Sequence, residues 1–243
     1  LSGVSSAAVT PWLWRCSEAA TQLVIADPGG TDTTALTEAL YKPFLQETGI
    51  AIVPVVRRNN PATEFKAQVE TKSYTWDICG VIQSDEVALL QAENYLEKID
   101  LSGDDMAAIP AAMKSDYFLA DCVVSFLMAY RTNTFKNGLK SFADIWDITG
   151  LPGRRGMRKV ARDMIEIALR ADGVPPGPKI YEVLSAPGGW DRAFNKLSQL
   201  KKDVKVWYDS ASQSVTLLQT GEADVLPAYN AREQVAIDSG APV

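Results

Sequence analysis

From residue 21 onward, short apolar runs alternate with stretches whose apolar residues recur every three or four positions, and this alternation constrains the fold most. TQLVIA (21–26), IAIVPVV (50–56), WDICGVI (76–82), MRKV (157–160), VKVWY (204–208) and ADVLPAY (223–229) read as strands. CVVSFLMAY (122–130) is the longest apolar run and predicts a central strand. Helical spacing fills the intervals. Leu36, Leu40 and Phe44 form one stripe over 33–47, and Ser84-Asp85 reads as the cap of a helix carrying Val87, Leu90 and Tyr95. Further helices are expected over 141–147, 161–172, 178–185, 190–200 and 212–219. Strands alternating with helices in this way predict an α/β fold.

Composition narrows the chemistry. The 243 residues include no histidine, which removes Ser-His-Asp and Cys-His nucleophile systems, histidine metal sites and histidine pH switches. With 24 basic and 30 acidic residues the net charge is 24 − 30 = −6, which argues against a broad nucleic-acid surface and mildly favours a cationic partner. Cys16, Cys79 and Cys122 are far apart and form no CxxC pair. Cys79 and Cys122 sit in apolar runs and read as buried thiols. No window reaches the roughly 18–20 apolar residues of a membrane span. The opening 20 residues are small and apolar, ending near Glu18-Ala19-Ala20, and read as a signal remnant or a disordered lead.

Several segments invite chemistry. The turn ADPGG after the first strand lacks the GxGxxG spacing of a dinucleotide site, and no Walker motif occurs. It still places the backbone N–H groups of Gly29, Gly30 and Thr31 at a helix start beside a strand's carboxyl end, where open α/β sheets bind ligands. A plain tight turn explains the same residues. The basic run LPGRRGMRKVAR (151–162) lacks interleaved aromatics and reads as a solvated surface. Asp163 and Glu166 lie one helical turn apart, with a surface ion-pair role favoured for Glu166. Trp207, Tyr208 and Tyr229 end strands. Core packing is the default for Trp207, and Tyr229, followed by Asn230 and Arg232, is the most suggestive ligand-facing ring.

The ordered segments VIADPGGTDTTALTEALYKPFLQETGI, WDICGVIQSDEVALL, AYRTNTF, YEVLSAPGGWDRAFNKL and VWYDSASQSVTLLQTGEADVLPAYNAR resemble extracellular solute-binding proteins of ABC importers, of the polyamine (putrescine/spermidine) class, over residues 21–243. That resemblance implies a two-lobed periplasmic-binding fold of the second type, in the periplasm, with no cofactor and no enzymatic activity. Lobe one would comprise 21–128 and 230–243, lobe two 129–229, with crossovers near Ala129-Tyr130 and Ala228-Tyr229. A polyamine-like cation would bind in the inter-lobe cleft, and a membrane permease would be the partner of a monomeric receptor. The ligand-binding residues it implies are Gly29, Gly30, Thr31, Gln83 and Ser84 in lobe one, and Asp163, Ser212, Gln213 and Tyr229 in lobe two. It further implies that the family continues past Val243 to complete lobe one.

The chain departs from the pattern in reading AYNAR, with Ala231 for glycine, and in carrying TDTT in the first loop. Both departures leave open a receptor for another small solute, such as an amino-acid-like molecule. A ferric ion is disfavoured because no adjacent tyrosine pair occurs, and an enzyme on the same scaffold lacks an activated nucleophile.

Overall fold

The computed structural model describes residues 21–58 and 60–243, so Cys16 and the expected leader lie outside the described residues. The chain divides into two compact units, the first ending at Asp121 and the second running from Cys122 to Val243.

In the first unit, β1 (Gln22–Asp27), β2 (Ala51–Val56) and β3 (Ile78–Cys79) form a parallel sheet in the order β2-β1-β3, and β4 (Lys114–Ser115) pairs antiparallel with β5 (Phe118–Leu119). Parallel neighbours require crossovers. They are supplied by α1 (Thr31–Leu36), which continues through a π turn (Thr37–Tyr41) into α2 (Lys42–Thr48), and by α3 (Ala62–Thr71). Gly49 stops α2 in the left-handed region. The loop after β1 is built around Asp27, which is fully buried. Its Oδ1 accepts bonds from the Gly29 N–H at 2.8 Å and the Thr33 hydroxyl at 2.5 Å. Gly29 has φ 80°, and a Cβ there would sit 3.0 Å from the Val56 side chain, so this turn requires glycine. The expected stripe on α1–α2 is not a core face: Leu40 and Phe44 are exposed. The helix α4 (Ser84–Ala92) starts where expected, but Gln83 holds the N-cap position and no side chain caps it.

The second unit has a four-stranded sheet in the order β6-β9-β7-β8, built from β6 (Phe126–Tyr130), β7 (Arg155–Arg158), β8 (Val204–Tyr208) and β9 (Val225–Tyr229). β7 runs parallel to β8 and β9, whereas β6 pairs antiparallel with β9, Phe126 opposite Tyr229. Its helices are α5 (Ala161–Ala171), α6 (Pro178–Ser185), α7 (Gly189–Lys201), α8 (Gln213–Thr220) and α9 (Asn230–Asp238). The period of two along β9 divides the core. Leu226 and Ala228 pack with Tyr208, Leu217 and Leu218 beneath α8, and Val225 packs with Met157, Met164 and Ile167 beneath α5. A third cluster, Ile165, Leu169, Ile180 and Ala193, joins α5, α6 and α7.

Several expectations need correction. The longest apolar run is an edge strand that begins only at Phe126, and Cys122 before it is exposed. The segment after Ser141 makes a short 3-10 turn (Phe142–Ile145) rather than a regular helix, capped reciprocally by Ser141 and Asp144. Trp207 is 41% exposed rather than core. Residues 230–243, expected in lobe one, fall within the compact unit that runs from Cys122 to Val243. Here α9 leaves β9 without a loop and packs on α8, β9 and β6, and the Thr132 N–H donates to the Pro242 carbonyl at 3.0 Å.

The basic run is the largest departure. β7 is an inner strand of the sheet, and all four of its residues are buried. Arg155, 1% exposed, donates instead to the carbonyls of Ile145 (3.2 Å), Gly153 (2.7 Å), Asp147 (3.0 Å) and Leu151. Arg154 donates to Asp224 through its backbone N–H (2.8 Å), Nε (2.9 Å) and Nη2 (2.9 Å), and Thr134 adds a bond at 3.2 Å.

These donors, the Arg154 side chain above all, hold the Asp224 carboxyl at about 2, against its ordinary 3.8. A depressed folded-state value contributes stability that is present above 3.8 and lost as pH falls through about 2. Asp224→Asn is expected to destabilise the protein by about 2 kcal/mol at neutral pH. In denaturant titrations, the gap between wild type and variant should close as the pH is lowered from about 4 to about 2.

Candidate functional site

The carboxyl ends of β7, β8 and β9 and the start of antiparallel β6 share one edge of the second unit's sheet. Chain leaving β7 turns toward β8 through α5, whereas chain leaving β9 enters α9 on the side of β6 and α8. Diverging loops of this kind open a crevice at a sheet edge, where α/β proteins place ligands. Arg158 ends β7, Tyr208 ends β8, Tyr229 ends β9 and Phe126 begins β6.

Three of them, Arg158, Tyr229 and Phe126, form one contacting group with Asp163. Arg158 Nη1 donates to Asp163 Oδ2 at 2.9 Å, and the Tyr229 hydroxyl donates to the same oxygen at 3.1 Å. The Arg158 and Asp163 side chains are 9% and 12% exposed. The guanidinium carbon lies 5.3 Å from the Tyr229 ring centre and 5.9 Å from that of Phe126, while the two rings meet edge to face at 4.8 Å. Arg158 Nε is buried without a partner. Burial pushes the Asp163 carboxyl up, and Arg158 and the Tyr229 hydroxyl pull it back down by less. The Tyr229 hydroxyl is likewise raised, first by burial and then by the charge of Asp163.

Backbone geometry places that carboxylate. Arg162 is extended (φ −49°, ψ 157°) and Asp163 has φ 61° and ψ −49°, so regular helix starts only at Met164. Asp163 thus stands at the true N-terminus of α5, where the helix dipole favours negative charge. A non-glycine residue in this conformation costs of order 1–3 kcal/mol, retained where the surroundings hold it.

Of the residues expected at the site, the structure brings Asp163 and Tyr229 together. Ser212 and Gln213 serve the turn after β8: Gln213 Oε1 accepts the N–H groups of Asp209 (3.0 Å) and Ser210 (2.9 Å), and the Ser212 and Ser210 hydroxyls pair at 2.6 Å. The remaining five lie in the first unit, at the corresponding edge of its own sheet. Gly29 and Gly30 follow β1, Thr31 opens α1, and Gln83 and Ser84 follow β3. Arg57, directly after β2, secures the loop before Gln83 by donating to the carbonyls of Gly80 (3.2 Å) and Val81. Val81 there holds φ 53°, an unusual conformation for a β-branched residue.

Sequence reasoning missed Arg158, filed with a surface run, and Phe126, filed with a core strand. The available signal for Arg158 was its place directly after Met157 in a strand, followed closely by an acid. Two surface hollows, of about 380 Å³ beside Val56 and Trp76 and about 560 Å³ beside Tyr181, do not touch this group. The first has few charged neighbours and the second lies on helix α6, so chemistry, not volume, marks the site. Among the described residues no three acidic or cysteine side chains converge as metal ligands.

Known proteins can be set beside this geometry. The chain is 33% identical to a gamma-aminobutyric acid-binding protein of Pseudomonas aeruginosa over 220 residues, covering 90% of this chain and 61% of that protein. This chain therefore spans less than two thirds of that relative's length. Among solved structures, the periplasmic binding protein MotA of A. tumefaciens B6, in complex with glucopine, superposes with a TM-score of 0.81 at 36% identity, covering 91% of this chain and 68% of that one. AgtB of A. tumefaciens R10, in complex with agropinic acid, superposes with a TM-score of 0.77 at 28% identity, covering 91% and 66%. The shared architecture is the periplasmic-binding fold of the second type, with helices flanking mixed sheets. The family profile described as "Bacterial extracellular solute-binding protein" matches residues 39–243. The chain belongs to that family of bacterial extracellular solute-binding proteins, whose place is the periplasm.

Proposed function

We propose that this chain is the ligand-binding part of a receptor for an ABC importer, and that its solute is amino-acid-like, carrying one carboxylate and one amine. The observation that carries the reading is the Arg158–Asp163 pair at the sheet edge, held at 2.9 Å beside the Tyr229 ring. A zwitterion meets this pair with charges of both signs. Arg158 offers donors to a carboxylate, Asp163 accepts from an ammonium group, and Phe126 and Tyr229 supply apolar contact for the carbons between. Ser212 and Gln213 after β8, and Gly29, Gly30, Thr31, Gln83 and Ser84 in the first unit, are proposed to contribute further contacts. The relative from P. aeruginosa, named for gamma-aminobutyric acid, favours the same ligand class.

A polyamine fits less well. Such a dication needs carboxylates that are not already matched, and Asp163 has a guanidinium as its partner. An ammonium held about 5 Å from Arg158 would meet a repulsion of roughly 3 kcal/mol at an effective dielectric of about 20. The histidine-free composition and the absence of an activated nucleophile favour binding over bond-making.

Calorimetric titration of the full-length protein with gamma-aminobutyric acid and with putrescine tests the ligand class. Saturable binding of the amino acid, with putrescine weaker by about a hundredfold or more, is expected, and the reverse order would overturn the reading. A second expectation concerns the pair itself. Arg158→Met or Asp163→Asn alone should cost about 3–5 kcal/mol of stability by leaving a buried charge unmatched, and the double variant should cost less than either. Both single variants should weaken ligand binding by roughly 2–4 kcal/mol. Unchanged affinity in Arg158→Met would remove Arg158 from the site.

A further inference from the structure

The first turn of α9, directly after Tyr229, carries a carboxyl group that ligand binding as proposed does not use. Glu233 is 3% exposed, and its Oε2 is buried with no hydrogen-bond partner. Its Oε1 lies 2.5 Å from Oγ of Ser214, in the first turn of α8. The same Oγ lies 2.8 Å from the backbone carbonyl of Ala211. A serine hydroxyl has one hydrogen to donate and a carbonyl has none. When the Ser214 hydrogen serves Ala211, the hydrogen shared by Ser214 and Glu233 has to come from Glu233.

We infer that Glu233 is held as a neutral carboxylic acid that donates to Ser214 Oγ, fastening the start of α9 to the start of α8 and thereby positioning Tyr229. The orphaned Oε2 agrees with this. On a neutral acid it is a carbonyl oxygen, whereas on a carboxylate it would be a buried, unsatisfied charge. The surroundings agree as well. The elements packed against α9 carry no charged side chain: α8 reads QSVTLLQT, and β9 (VLPAY) and β6 (FLMAY) hold only tyrosines as titratable groups. From β8 comes Tyr208, 1% exposed, whose hydroxyl donates to the Pro227 carbonyl. On α9 itself the charged residues are Arg232 and Asp238. Burial raises the Glu233 carboxyl above its ordinary 4.5, and Ser214 and Arg232 offset only part of that. Tyr208 lies within electrostatic reach of Glu233, Asp163 and Arg158. The effect on the ligand rests on Tyr229 lining the proposed site, while the protonation state does not.

The decisive variant is Glu233→Gln, which keeps a donor toward Ser214 and cannot ionise. At pH 7 the infrared spectrum of the full-length wild type should show a protonated-carboxyl carbonyl band that the variant lacks. A raised folded-state value contributes stability that is complete below 4.5 and lost as pH rises. Urea titrations should therefore find wild type and Glu233→Gln alike near pH 4.5. Above it, the wild type's unfolding constant should gain on the variant's by up to about tenfold per pH unit, until Glu233 ionises in the folded protein. Affinity for gamma-aminobutyric acid should stay within about twofold in Glu233→Gln and fall about fivefold or more in Glu233→Leu. No acid band, with Glu233→Gln destabilised at pH 7, would overturn the protonation state. Equal loss of affinity in both variants would overturn the positioning role. A wild type that does not bind gamma-aminobutyric acid would defeat the proposed ligand while leaving the infrared and urea measurements decisive for Glu233.

Discussion

Two arginines on the buried inner strand β7 lose their water, and the recovery of their hydrogen bonds organises the second unit. At the amino end of β7, Arg155 takes carbonyls from the 145–153 segment, which fixes that segment against the sheet. At the carboxyl end, Arg158 takes Asp163 and lies against Phe126 and Tyr229. Burying a guanidinium is tolerated only where its donors find acceptors. The first solution uses backbone carbonyls, which no ligand can displace without unravelling the loop. The second uses side chains at the sheet edge and leaves Nε unmatched, and this is the end that the proposed ligand would meet.

The charge arrangement follows from this division. Asp163 is not a lone carboxylate waiting for a cation; its partner is built in, with the Tyr229 hydroxyl on the same oxygen. In the proposed reading, this pair presents both signs of charge to a zwitterion. The apolar walls contributed by Phe126 and Tyr229 come from antiparallel strands in register, so their edge-to-face contact is set by the pairing of β6 with β9.

Much of the architecture was legible because periodicity reports burial directly. VKVWY became β8 residue for residue, and the helices expected over 178–185 and 190–200 stand within a residue of α6 and α7. Periodicity failed where burial depends on partners distant in the chain. Arg158 meets Tyr229 across 71 residues, and its one local mark among basic neighbours is its place in a strand shortly before an acid. The stripe through Leu40 and Phe44 has helical spacing yet faces out. Tyr229 drew notice as an aromatic at a strand end, Asp163 was expected at the site from the family resemblance, and Phe126 stayed hidden because an aromatic inside an apolar run looks like core.

The backbone at Asp163 has a consequence for how such a receptor could change its ligand over generations. With φ 61° and ψ −49°, the position admits glycine readily, asparagine and aspartate at a cost, and branched or bulky residues scarcely at all. Aspartate reaches asparagine or glycine by a single base change, and both replacements erase its negative charge. Lysine and arginine each lie two base changes away. The inheritable alternatives at this corner are thus a negative pole or none, and a receptor that came to favour a ligand of opposite polarity would have to acquire its cation from another strand.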